Sequence, residues 1–479
     1  MKRTHDNELM TLSKDDLARV GNLEAETFAT REEVKVTTDS RTVQSGEIFV
    51  ALKGETHDGH EFVKSALEKG ATLCIVDKQW REVNREVKGN FLVVSDTLFA
   101  LQELARIYRR KFLIPIVAIG GNSGKTTTKE MTAHVLRSTF KTHATQGNFN
   151  NHIGVPLTLF GLRSETEIAV IEMGMNHAGE MTRLCQIAEP THALITNIGK
   201  AHIEFFDKID AVAEAEGELF DWIAMHGGTA FVNADDEWVL KQSEGIMQRL
   251  FYGTTKQEQI ALDVFAEFLE SDALGCPKFL VSTGETSEEI SLKISGRHNV
   301  QNALVAVAVG LNFGVSLSRI KEALESFEIN PALKRMSVCI ESDVVLMNDT
   351  YNANPESMRA GLNALKEVKN KGKKIAVLGD MLELGALSKK EHEELGKFIA
   401  TLNLDMLFGY GNEMKKTIEA ASAGMKKHFD DKADLAKLLV ESISAGDAIL
   451  FKGSRGMKME TVFEEIKTHL QKRLINHAP

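Results

Sequence analysis

The stretch IPIVAIGGNSGKTTTKEMTAHVLRSTF, residues 114–140, limits the possible folds more than any other part of the chain. A short apolar run ends in glycines, and Met131, Val135, Leu136 and Phe140 then recur at helical spacing, which predicts a buried strand, a loop and a helix. In that context the loop is informative, because glycines let backbone N–H groups turn toward phosphate oxygens and the helix N-terminus adds its positive end. Gly121, Asn122, Ser123, Gly124, Lys125, Thr126 and Thr127 are the candidate phosphate-binding residues, with Lys125 as the neutralising cation and the Thr126 hydroxyl as a Mg²⁺ ligand. The full eight-residue pattern would need glycine where Ile119 stands, so the match is to a shortened GxxGKT form. The plain alternative is a glycine-rich turn with an incidental lysine.

The alternation continues on either side. Ile168 to Glu172, Thr191 to Asn197 and Gly228 to Asn233 read as strands, and Ala178 to Ile187 and Asp210 to Ile223 as helices, which predicts a parallel sheet covered on both faces. Residues 251–294 carry shorter alternating segments that suggest an antiparallel hairpin region on that sheet. VVLMNDTY, KKIAVLGDM, LDMLFGYG and DAILFKGS supply strands for a third unit. The expected fold is α/β in three domains: a small one over 1–112, a central phosphate-loop domain over 113–331, and a Rossmann-like one over 332–479. A length of 479 residues agrees with about three domains.

Composition removes several classes. A net charge of -11 gives no bulk drive toward nucleic acid or anionic lipid. No apolar run approaches the ~18–20 residues of a membrane helix, and the start MKRTHDNELM lacks a signal-peptide core, so membrane insertion is not expected and a cytoplasmic location is. The four cysteines are scattered without metal-ligand spacing. No obligate protein partner is indicated.

Two acidic positions are candidates to complete a metal shell: Glu172, closing the strand IAVIEMG, and Asp235 with Asp236 after FVNA. A carboxylate at the carboxyl end of a parallel strand faces the ligand crevice, and Glu172 is the better placed. His202, in TNIGKAHIE, is a candidate metal or phosphate ligand, against the common alternative of a structural histidine.

Ten segments in fixed order then carry a resemblance over nearly the whole chain: TDSRTVQSGEIFVALKG, DGHEFVKSALEKGA, GNSGKTTTKEM, TQGNFNNHIGVPLTL, EMGMNHAGEM, TNIGKAHIE, GRHNVQNALVA, DTYNANPESM, VLGDMLELG and FKGSRGMKME. Together they resemble the Mur ligase family of cell-wall amide ligases. The resemblance implies ATP and Mg²⁺ as cofactors, and DTYNANPESM with VLGDMLELG points to UDP-N-acetylmuramoyl-tripeptide and D-alanyl-D-alanine as substrates. A carboxylate would attack the γ-phosphate to give an acyl phosphate, which the incoming amine then captures. The competing readings are a folylpolyglutamate-type or single-amino-acid-adding ligase, a nucleotide-binding regulatory ATPase, and a catalytically dead scaffold.

Position by position, the resemblance implies ATP phosphates on Gly121 to Thr127, Mg²⁺ on Thr126 and Glu172, and a second metal at His202. It makes Asn299 and Asn302 the adenine contacts, Arg335 a γ-phosphate contact and Asp349 the ribose carboxylate. It makes Lys125, Glu172, His202 and Arg335 the catalytic set. Tyr351, Asn352 and Asn354 would line the ATP and dipeptide side, and Asn148, Asn150 and Asn151 the muramoyl-peptide side. Ser40 and Arg41, with Asp58, Gly59 and His60, fall in segments like the family's UDP-sugar domain, and Lys452, Ser454 and Arg455 in a loop near the substrates. One position departs from the family. Its carbamylated lysine, a ligand of the second metal, is replaced by Glu216 in AEAEGELF. Either Glu216 serves in place of the carbamate, with turnover indifferent to bicarbonate, or it is an exposed helix residue and the second site is weakened.

Overall fold

The computed structural model describes residues 11–25, 35–54, 57–200, 203–206, 208–284 and 286–476. Three sheets follow one another along the chain. The first has five strands in the order Asn22–Glu24, Phe91–Val94, Leu73–Asp77, Ile48–Val50, Val36–Thr37, antiparallel only at the first pair. The third has six, in the order Ser337–Glu341, Val344–Asp349, Ala448–Lys452, Lys374–Gly379, Met406–Tyr410, Met425–Phe429, again antiparallel only at its first pair.

The central sheet has nine strands. Seven run parallel, from Val264–Ser271 through Gln248–Gly253, Thr229–Asn233, His192–Ile195, Ile116–Gly120 and Ile168–Glu172 to Thr142–Ala144. Pro277–Thr283 and Thr286–Ser291 add the antiparallel meander expected for that region. The strand Ile116–Gly120 is buried at all five positions. Its side chains alternate between two cores: Val117 and Ile119 meet Met131, Val135, Leu136 and the helix Asn299–Asn312, while Ile116 and Ala118 meet Met181, Leu184, Leu219 and Phe220. The helix Lys125–Arg137 opens with three threonines, each up to about 0.7 kcal/mol poorer than alanine in a helix. Burying Met131, Val135 and Leu136 contributes roughly 1.5–3 kcal/mol apiece, so packing and not propensity holds it.

Sequence order and spatial order part company at Ile116–Gly120, which lies between the strands ending at Ile195 and Glu172. This is the switch point at which open α/β sheets leave a crevice beyond their carboxyl ends, and it sets the phosphate loop between Glu172 and Thr196. The helix Thr97–Arg109 ties the first sheet to the central unit: Arg109 is buried and donates to the carbonyls of Ala188, Phe112 and Ile114. Two strands of the third sheet were not expected from sequence, Ser337–Glu341 and Met425–Phe429, and both are edges. Among the described residues no helix is long and apolar enough to cross a membrane, and all four cysteines are free thiols.

Candidate active site

A cleft of about 860 Å³ lies at the carboxyl ends of the central and third sheets, lined by Asn122 to Thr127, Asn150, Glu172, Asn299, Asn302, Arg335, Asp349, Tyr351, Asn352, Asn354 and Lys452, among others. The phosphate loop owes its shape to two left-handed glycines. Gly121 has φ +114°, and a Cβ there would lie 2.3 Å from Thr196 Oγ1; Gly124 has φ +83°, and a Cβ there would lie 2.6 Å from Asn302 Oδ1. The amides of Gly121, Asn122 and Ser123 are engaged within the protein, by Glu216 Oε2 (2.8 Å), Asn197 O (3.0 Å) and Asn197 Oδ1 (3.0 Å). The donors left for an anion are the first-turn amides that a helix starting at Lys125 leaves without an intrahelical acceptor. Lys125 Nζ folds back onto the Gly121 carbonyl and lies 3.5 Å from that of Asn122.

Glu172 is 1% exposed. Its Oε1 accepts from Thr126 Oγ1 (3.2 Å) and Asn150 Nδ2 (2.8 Å), while Oε2 is buried with no partner. An orphaned carboxylate oxygen beside a threonine hydroxyl and a row of helix-terminal amides is the donor set a hard divalent cation between protein and phosphate requires, so these residues fit Mg²⁺. Asp235 and Asp236, the rival acidic candidates, are spent on loops. Asp235 accepts from Thr254 and Thr255, and Asp236 caps the helix Glu237–Gln242 and accepts the amide of Ile198. His202 lies outside the described residues. Among the described residues no group of three His, Cys, Asp or Glu side chains could hold a metal unaided.

Glu216 is not an exposed helix residue: it is 3% exposed and sits under the phosphate loop with Oε2 on the Gly121 amide. Two carboxylates on one turn of the same helix thus serve neighbouring loops, since Glu218 accepts the amides of Gly179 and Thr182 at the start of the helix Glu180–Ala188.

Asn299 and Asn302 form a buried chain: Asn302 Nδ2 donates to Asn299 Oδ1 (2.8 Å), Asn299 donates to Ser295 O, and Thr128 Oγ1 donates to Asn302 Oδ1. On the facing wall, Arg335 stands between two left-handed residues, Lys334 and Met336, with its guanidinium 3.9 Å from the Tyr351 ring centroid. Asp349 ends its strand with Oδ2 2.5 Å from Lys452 Nζ and Oδ1 on the Met336 amide. Burial pushes the Lys452 ammonium below its ordinary value, and Asp349 opposes that shift. His298 was not anticipated. It lines the cleft, and burial pushes its pKa down to about 4 despite Asp349, so it is a neutral imidazole at pH 7.

Asn354 caps the helix Pro355–Glu367, and its side chain meets Ser123 Oγ (3.0 Å), so the third unit touches the phosphate loop directly. Asn352 accepts the amide of Arg455, which is itself exposed. Ser454 is buried and joins two loops of the cleft wall, accepting the Leu382 amide (2.8 Å) and donating to Ala353 O (3.1 Å). Ser454→Ala leaves both groups unpaired and is expected to destabilise by about 1–3 kcal/mol, read as a lower midpoint in denaturant.

Not all of the anticipated residues gather here. Asn148 is exposed and outside the cleft lining, while Asn151 lines it and caps the turn into Gly154–Leu159 through the amides of Ile153 and Gly154. Ser40 and Arg41 lie away from it. Arg41 pairs with Asp39 (2.7 Å) and pulls that carboxyl down to about 2, and the Ser40 carbonyl accepts Lys69 Nζ. His60 is buried between Asp58 and the amide of Asp77, holding the first sheet's turn together. A Cβ on Gly59 would press within 2.7 Å of Leu52 O.

Fold and cleft together define a phosphate-loop protein of three α/β units whose third unit closes over the loop. Three family models match in chain order: Mur ligase family, catalytic domain, over 34–109; Mur ligase middle domain over 119–310; and Mur ligase, glutamate ligase domain, over 334–455. The chain belongs to the Mur ligase family. It is 37% identical to the UDP-N-acetylmuramoyl-tripeptide–D-alanyl-D-alanine ligase of Haemophilus influenzae, over 91% of this chain and 94% of that one. Among solved structures it is similar to MurF from Acinetobacter baumannii, with a TM-score of 0.86 and 34% identity over 96% of this chain and 99% of that one. It is also similar to the MurF ligase of Thermotoga maritima in complex with ADP, with a TM-score of 0.80 and 30% identity over 92% and 98%.

Proposed function

We propose that this chain is a cytoplasmic ATP-dependent ligase that joins D-alanyl-D-alanine to UDP-N-acetylmuramoyl-tripeptide in peptidoglycan precursor synthesis. The observation that carries the reading is full-length similarity to ligases of that name, together with a buried, unpartnered Glu172 oxygen beside the phosphate loop. Residues 1–112 take the UDP-sugar end, 113–331 hold ATP, and 332–479 close on ATP and the dipeptide. Ser40, Arg41, Asn148, Asn150 and Asn151 serve the first substrate, and Tyr351, Asn352 and Asn354 the second.

The chemistry asks the protein to bring a carboxylate up to a polyphosphate, so its main task is to screen two anions. Lys125 swings from the Gly121 carbonyl to the phosphates, the amides at the helix start take their oxygens, and Arg335 leaves the Tyr351 face to reach the γ end. Asn299 and Asn302 meet the adenine, and Asp349 the ribose. Thr126 and Glu172 would hold Mg²⁺, with His202 and Glu216 at a second ion, and bound metal would neutralise charge developing on the phosphoryl oxygens. The amine then displaces phosphate from the acyl carbon and loses its proton.

Mass analysis of the product with Mg-ATP and both substrates checks the assignment. One ADP, one phosphate and one joined UDP-muramoyl-pentapeptide should form together, and ADP without the joined product would refute it. Glu216 makes its own prediction. Its fixed carboxylate needs no CO₂, so turnover should be indifferent to bicarbonate, and Glu216→Ala should lower kcat roughly tenfold or more by loosening the Gly121 amide and removing charge. Unchanged rate and Mg²⁺ dependence in that variant would show Glu216 to be dispensable.

A further inference from the structure

The loop Asn197 to Lys200 faces two ways. Toward the phosphate loop, Asn197 accepts the amides of Asn122 and Ser123 and donates Nδ2 to Ser123 O (2.9 Å), while Gly199 O accepts Asn122 Nδ2 (2.8 Å). Toward the third unit, the Lys200 amide donates to Glu356 Oε1 (3.2 Å) and the Lys200 ammonium to Glu391 Oε1 (2.7 Å). A Cβ on Gly199 would lie 3.0 Å from the Glu356 carboxyl carbon, so a side chain there would push that carboxylate off. Farther along, the Glu204 amide donates to Glu383 O (3.3 Å) in the loop that follows Asp380. One strip of the central unit is therefore bonded to the phosphate loop on one side and to three loops or helices of the third unit on the other.

The ion pair in this strip is not an ordinary surface pair. The Glu391 side chain is 4% exposed and that of Lys200 40%. A carboxylate so placed is tolerable only while its cation is present, because a buried charge that loses its partner is strongly destabilised. If the two units part, Glu391 must regain water. The pair is thus either made across a closed cleft or solvated in an open one, the kind of bistable contact a conformational equilibrium can turn on. Neither residue is among those that line the cleft.

We propose that Lys200 and Glu391 form a latch between the central and third units, coupled to the phosphate loop through Asn197, that sets how much of the protein has its cleft closed. They are positioning residues. The proposal deepens the ligase reading by naming what brings Arg335 and Asp349 to the phosphate loop, and it rests on that reading only for the choice of nucleotide.

The test uses the full chain with Lys200→Met, Glu391→Gln, the double variant and Lys200→Arg. X-ray scattering with and without a non-hydrolysable Mg-ATP analogue reads closure, and steady-state kinetics separates KM from kcat. Both single variants should give a larger radius of gyration with the analogue and raise KM for the dipeptide about tenfold, since apparent affinity falls with the closed fraction. The double variant should lose no more than the worse single, and Lys200→Arg should keep the closed profile. Unchanged scattering in both singles, or losses that simply add, would overturn the latch. If Glu391→Gln fails to fold, the half-exposed Lys200→Met and its arginine counterpart carry the same comparison. Because scattering needs nucleotide alone, failure of the ligation reaction would refute the ligase reading while leaving the latch to be judged separately.

Discussion

Lys125→Met is expected to cut kcat by about 10³-fold, the scale of removing one preorganised charge from a transferring phosphoryl group. The expectation follows from where the ammonium sits and what it does there. Its polar contacts are the carbonyls of Gly121 and Asn122, in the loop it belongs to. No core packing depends on it, so thermal unfolding of the variant should match the parent. Lys125→Arg should recover little, because a planar guanidinium does not fit the space that a single ammonium occupies inside a tight loop. Turnover measured at saturating substrates alongside the unfolding midpoint separates lost chemistry from lost fold. A variant that retains a tenth of the parent rate would remove Lys125 from the mechanism.

Glu172→Gln should do two opposite things. The carboxylate is almost wholly buried, and one of its oxygens has no partner, so in the absence of metal it costs stability. An amide of the same shape carries no charge to desolvate and can keep an oxygen facing Thr126 and Asn150. The variant should therefore be as stable as the parent or more so without metal, while kcat falls about a hundredfold and the Mg²⁺ concentration for half-maximal rate rises at least tenfold. Destabilisation together with an unchanged Mg²⁺ requirement would mean that Glu172 is a structural strand end. Titrating Mg²⁺ and following unfolding in a chelator checks both halves.

The parts of this architecture that sequence reveals are those with strong periodicity and strong punctuation. The run Ile116 to Gly120 is legible because four apolar residues stop at glycine and a 3.6-residue pattern takes over. The same holds for Ile168–Glu172 and Ala448–Lys452, which end in chemically loaded loops. Met425–Phe429 is not legible: MKKHF has no alternation, because the edge position leaves its first three residues exposed. The short Val36–Thr37 and Thr142–Ala144 have too few residues to carry a pattern.

Within the cleft, Lys125, Thr126 and Glu172 were legible from local context alone, because a loop between strand and helix and a carboxylate at a strand end have direct geometric meaning. Asn299, Asn302, Arg335 and Asp349 needed the family resemblance. They lie far apart in sequence, and their types suit caps and turns equally well. His298 sits one residue before Asn299, and nothing in GRHN reveals that its ring lines the cleft within electrostatic reach of Asp349 and Lys452. The use of Asp235 and Asp236 is not legible in sequence because strand-end carboxylates also cap helices, and only the partners at Thr254, Ile198 and Trp238 decide between a cap and a metal ligand. The burial of Glu216 was equally hidden, because a helix of alternating Ala and Glu reads as solvated until its register against the phosphate loop is known.

On the ligase reading, this cleft couples ATP to the joining of two particular substrates. Phosphate release from Mg-ATP tests it most directly, with UDP-N-acetylmuramoyl-tripeptide and D-alanyl-D-alanine added singly and together. Sustained release is expected only when both are present, matched one for one by the joined product. Release that proceeds equally without either substrate would contradict it and leave an ATPase whose third unit has no assigned purpose.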